Sequence, residues 1–79
     1  MEPSLKKSIL EYILGNRKKL EITGSPQLIA TLYEAIESSR SLLSNLRRGV
    51  DYRTLRESLE RRQKAADRYK KVTGEDWDI

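Results

Sequence analysis

Apolar positions along the chain fall into three periodic stretches, set apart by glycine and proline. Leu5, Ile9, Tyr12 and Ile13 recur at helical spacing and predict a short helix over about 4–14, opened by Pro3-Ser4 and closed by Gly15-Asn16. Residues 17–24 follow as Arg17-Lys18-Lys19, then the alternating Leu20-Glu21-Ile22-Thr23 and Gly24. Alternation permits a strand, but a strand this short has no visible partner, so an extended connector laid over the core is the expected form. Gly24-Ser25-Pro26 is a helix start: Ser25 can accept hydrogen bonds from free N–H groups, and Pro26 suits the first helical position. The pattern then predicts a long helix over 26–48, stopped by Gly49, and a second over 52–73, capped by Asp51 and stopped by Gly74.

The two long stretches carry coiled-coil-like seams. Ile29, Leu32, Ile36, Ser39, Leu43 and Leu46 alternate at three- and four-residue spacing, as do Tyr52, Leu55, Leu59, Arg62, Ala66 and Tyr69. A short turn makes such helices antiparallel neighbours. Folding at Gly49-Val50 predicts Leu46 beside Leu55, Leu43 beside Leu59, Ile36 beside Ala66 and Leu32 beside Tyr69, with the polar breaks Ser39 and Arg62 opposed. Leu28, Tyr33, Ala35 and Leu42 widen the first seam beyond what one partner covers, so the short helix, through Leu5, Ile9, Ile13 and Leu14, is its expected second neighbour. Leu20, Ile22 and Trp77 are placed to close the ends of the core. The expected fold is all-α: a short N-terminal helix, a connector and a long antiparallel helical hairpin in one small helical domain over 1–79, with an acidic tail at 74–79. A core this small barely outweighs chain entropy, which favours self-association into a bundle over a lone three-helix unit.

Charge adds direction to this frame. The 79 residues hold 16 Lys and Arg against 12 Asp and Glu, a net +4, and 37% are apolar. Five basic and five acidic side chains balance over 1–39, eleven stand against four over 40–73, and the tail carries Glu75, Asp76 and Asp78. The basic excess therefore lies on the hairpin, where Arg47, Arg48, Arg53, Arg56, Arg61, Arg68, Lys70 and Lys71 form a candidate binding patch for nucleic acid or an acidic protein. Glu57–Arg61, Glu60–Lys64 and Asp67–Lys71 stand four apart in the favourable order and are expected to consume part of that charge. Arg47, Arg48, Arg53 and Arg56 have fewer expected local partners and gather at the turn.

Catalytic chemistry is poorly provided for. The chain has no His and no Cys, so the commonest general base, nucleophiles and metal ligands are missing, and neither an enzyme nor a cofactor is expected. Glu75, Asp76 and Asp78 lack the loop geometry of a calcium site. Gly49 and the stretch Val50-Asp51-Tyr52-Arg53-Thr54-Leu55-Arg56 resemble the turn and recognition-helix start of helix-turn-helix domains, which would imply DNA binding through the basic residues. Ser44 and Arg48 stand where that motif has apolar residues, and Asn45 where it has a small one. The flanking helices also read better as a hairpin, so no family is carried over.

The four tyrosines lie near apolar stripes and are expected in the core or at its rim. Trp77 either docks on the bundle or forms with Ile79 an acidic-apolar ligand for a partner; Leu42, Trp77 and Ile79 are thus the candidate apolar contacts. No apolar run is long enough to span a bilayer, and MEPSLKK has no signal-peptide core, so a cytoplasmic protein is expected. The functional expectation is a small non-catalytic accessory protein, a regulator or assembly factor acting by protein–protein binding, with a second copy among its partners. The alternative is a nucleic-acid-binding regulator using the basic hairpin face of 40–71.

Overall fold

In the computed structural model, which describes all residues 1–79, the chain forms three helices and no strand: α1 (Pro3–Ile13), α2 (Pro26–Arg48) and α3 (Tyr52–Thr73). The punctuation read from the sequence works as expected at the long helices. Ser25 Oγ accepts from Leu28 N at 3.2 Å with Pro26 next to it, and Asp51 Oδ1 accepts from Thr54 N at 3.0 Å. Gly49 ends α2 at φ 66° and Gly74 ends α3 at φ 78°, both left-handed conformations in which a side chain is strained. The first helix is shifted one residue earlier than expected, because Pro3 occupies its first turn and Leu14 is already its C-cap.

The connector is irregular, not a strand. It is pinned where Tyr33 donates to the Leu20 carbonyl at 2.9 Å, and Leu20 is buried. The start of α1 lies by the start of α2, since Met1 and Leu5 share a cavity with Leu28, Leu32 and Tyr69. Its end lies by Leu43 and Arg47. The connector therefore carries the chain back along α2, and α1 covers one flank of the hairpin. Ile9, Ile13, Leu20, Leu32, Ala35, Ile36, Ala65, Tyr69 and Trp77 make up the core.

The α2–α3 seam is not the leucine stripe. Leu46 is 56% exposed, Leu59 50% and Tyr52 77%, so the tip end of the expected leucine seam stays at the surface, with Leu43 and Leu55 half-buried. The buried positions on α2 are Thr31, Leu32, Ala35, Ile36, Ser38, Ser39 and Asn45, of which Thr31, Ala35, Ser38 and Asn45 share the face that carries the bond to Ser58; on α3 they are Ser58, Ala65 and Tyr69. The four on that face and the three on α3 fall three, four or seven residues apart, and the small ones among them, Ala35, Ser38, Ser58 and Ala65, suit close approach of the two helices. Their polarity is fully answered: Asn45 Nδ2 donates to Ser58 Oγ, Ser38 Oγ donates to the Ala35 carbonyl at 2.8 Å, and no buried side-chain nitrogen or oxygen lacks a partner. Ser39, expected as a polar break opposite Arg62, is buried and accepts from Trp77 of the tail. Leu14 and Tyr52 are exposed where core positions were expected, Leu14 because α1 has ended and Tyr52 because it opens α3 on the outward side.

Candidate functional site

The apolar stripe of the hairpin is left over once the small-residue seam is made. On α2 it runs through Leu32, Ile36, Ser39, Leu43 and Leu46; on α3 through Tyr69, Ala66, Arg62, Leu59 and Leu55. The Asn45–Ser58 bond fixes the antiparallel register, so both strings run side by side from the root of the hairpin to its tip. The opposite flank is polar: Arg61 reaches Glu34 at 3.1 Å in a shallow groove also lined by Ala30, Glu57, Lys64 and Arg68.

The root half of the stripe is covered by the chain itself. Beyond Gly74 the tail crosses back, and Trp77 is only 6% exposed. Its Nε1 donates to Ser39 Oγ at 2.9 Å, and its ring meets Tyr69 edge-on at 5.2 Å between centroids. Ile79 is half-buried against the core. The acids between and beside them turn to cations on several elements: Glu75 to the Met1 amino group at 2.6 Å, Asp76 to Lys70 at 2.9 Å, and Asp78 to Lys6 at 2.6 Å. The amino group of Met1 holds the Glu75 carboxyl below its usual range, and the Lys6 ammonium does the same for Asp78. Burial, assisted by the Glu75 charge, pushes the Tyr69 hydroxyl up.

The tip half is open. Leu42, Leu43, Val50 and Leu55 are half-buried, while Leu46, Leu59 and Tyr52 stand out from them into solvent. Arg62 sits within the stripe, half-buried, with no carboxylate in ion-pair range. Arg47 flanks the open patch on α2 and is likewise unpaired; Arg56 flanks it on α3 and holds Glu60 at 3.2 Å.

Sequence-predicted residues are therefore distributed, not gathered. Arg53 pairs with Glu57 at 4.0 Å and Arg56 with Glu60, local partners in basic-before-acidic order where fewer are expected from the sequence. Glu57–Arg61, Glu60–Lys64 and Asp67–Lys71 do not form; Arg61 takes Glu34 from α2, and Asp67 accepts from Gln63. Lys70 is engaged by the tail, and Arg48 donates to Asn45 Oδ1 at 3.0 Å. Arg47 lies at the tip, Arg68 in the polar groove, and Lys71 on the exposed side of α3, so the eight do not make one surface. Of the apolar three, Leu42 borders the open patch; Trp77 and Ile79 are spent on the chain's own core. Leu46, Tyr52 and Leu59 are surface residues that the expected leucine seam places between the helices, and Arg62, expected as a polar break in that seam, is half-buried. The offset string Ala35, Ser38, Asn45 with Ser58 and Ala65 was the signal that a tighter seam would displace them.

No helix is long and apolar enough to cross a membrane. The chain is a small all-α protein of three helices with one partly covered apolar stripe. No family model matches its sequence, and no curated protein and no solved structure matches it either.

Proposed function

We propose that the protein is a non-catalytic interaction module that binds a protein partner through the open end of its hairpin. One observation carries this reading: Leu46 and Leu59, on the stripe that continues into the core, stand exposed at the tip, with exposed Tyr52 at the start of α3. Large apolar side chains grouped in this way cost solubility unless a partner covers them, and an exposed aromatic flanked by arginine suits an interface centre. The absence of His and Cys from the sequence supports binding over catalysis.

The runner-up is nucleic-acid binding by the basic face of 40–71. The charge excess of that segment supports it; the ion pairing of Arg53, Arg56, Arg61 and Lys70 and their spread over several faces weigh against it. A photocrosslinker at position 59, compared with one at position 71, separates the two. Crosslinks to a discrete protein from 59 alone are expected. Duplex or single-stranded DNA bound at about 50 mM salt and released at about 200 mM, unaffected by Leu46→Ser and Leu59→Ser, would put the nucleic-acid reading first.

A further inference from the structure

The chain carries on itself a sample of what its stripe accepts. In the tail, residues alternate between apolar and acidic: Trp77 and Ile79 go down onto the stripe, while Asp76 and Asp78 go out to Lys70 on α3 and Lys6 on α1. The stripe is thus a hydrophobic floor between basic walls, and its covered half is closed by an acidic, apolar-alternating segment. The open half has the same construction. Its floor is Leu42, Leu46, Leu55 and Leu59, and its walls are Arg47 and Arg56. Arg62 adds something the covered half lacks, a half-buried guanidinium without a carboxylate. A partly desolvated, unpaired guanidinium gains most from an incoming anion, because it has already lost water on that side.

From this we infer that the open half of the stripe binds an acidic amphipathic segment of a partner protein, laid end to end with the chain's own tail. The inference rests on the interaction-module reading and names the partner's chemistry. Leucine-type side chains of the segment cover Leu46 and Leu59, and its carboxylates pair with Arg62, Arg47 and Arg56. The exposed Arg56–Glu60 pair is worth little in water and is readily exchanged for such a carboxylate. A second copy fits less well. A two-fold contact of tip on tip sets Arg47, Arg56 and Arg62 against their own copies, and the tail acids are already engaged within each chain. A phosphate backbone answers the arginines and leaves the leucines wet.

The test uses the full chain and synthetic peptides of about four helical turns, with leucines along one face and glutamates flanking them; a second peptide has lysine for each glutamate. Binding is followed by amide chemical shifts, docking of the tail by the emission of Trp77, and mass by sedimentation. The glutamate peptide is expected to bind, to shift residues of 42–62 and to leave Trp77 emission unchanged. The lysine peptide is expected not to bind. Arg62→Gln is expected to weaken binding about tenfold, the usual scale for one charged hydrogen bond. The double variant Leu46→Ser/Leu59→Ser, at exposed positions, is expected to abolish binding with unchanged helicity. Equal binding of both peptides through Leu46 and Leu59 would overturn the acidic chemistry and leave the docking patch standing. A red shift of Trp77 would overturn the placement, since the peptide would then be taking the tail's site. A dimer that dissociates in the double variant, with neither peptide bound, would assign the patch to a second copy. A monomer that binds neither peptide would overturn both the inference and the reading beneath it.

Discussion

The two halves of the hairpin's apolar stripe are built alike and finished differently. At the root, Tyr69 and Ser39 are sealed by Trp77 and the tail; at the tip, Leu46, Tyr52 and Leu59 have nothing over them. The same helices, and nearly the same spacing of side chains, thus yield core in one half and surface in the other. What differs is the path of the covering segments. After the small-residue seam joins α2 to α3, α1 covers one flank of α2, and residues 74–79 lie over the root. Apolar periodicity marks what can be covered, and the route of the neighbouring segments settles what is.

The sharpest way to break this contrast is to remove the cover. Trp77→Ala is expected to lower stability by about 3 kcal/mol or more in chemical denaturation, as for other large core aromatics. Leu59→Ala is expected to stay within about 0.5 kcal/mol of the unaltered chain. Comparable losses for the two would erase the distinction between the halves. Next in size is the seam that displaces the leucines. Ser58→Ala strands the buried Asn45 amide and is expected to cost about 1–3 kcal/mol. Were the seam to run through Leu46 and Leu59 instead, the same substitution would be nearly silent.

The turn comes third. Gly49→Ala places a methyl on a left-handed residue with open space around it, so conformational strain alone acts. About 1 kcal/mol is expected from the thermal midpoint. The smallest effect is acid loosening of the tail. Glu75 and Asp78 titrate below their usual ranges in the folded chain, so their contribution is complete above the ordinary carboxylate range and fades as pH falls through their lowered values. Trp77 emission is therefore expected to shift to the red in that acid window before helicity is lost. Emission that tracks helicity at every pH would show the tail to be no weaker than the bundle.

How much of this was legible in the sequence depends on the kind of signal. Ser25-Pro26, Gly49, Asp51 and Gly74 act through local backbone chemistry, and the boundaries of α2 and α3 follow from them directly. The placement of Leu32 with Tyr69 follows from the hairpin register about Gly49-Val50, and that of Leu20 and Trp77 in the core from the apolar ends left to cover. The open patch was not legible in the same way. Two interleaved strings on α2 and α3 both satisfy helical spacing, and the leucine string has the greater hydrophobicity. The small-residue string forms the seam because Ala35, Ser38, Ser58 and Ala65 permit close approach and satisfy their own polar groups. Ion pairing was misread for a related reason: Arg61 has a carboxylate across the hairpin at Glu34, which spacing along α3 cannot reveal.

The central claim is that one stripe is closed at the root and open at the tip. Hydroxyl-radical footprinting of side chains in the free protein tests it most directly, because it reads Trp77, Tyr69, Tyr52, Leu46 and Leu59 in one sample. Rapid modification of Tyr52, Leu46 and Leu59 and strong protection of Trp77 and Tyr69 are expected, in spite of the greater intrinsic reactivity of tryptophan. Modification of Trp77 as fast as that of Tyr52, or protection of Leu46 and Leu59 in the monomer, would contradict it.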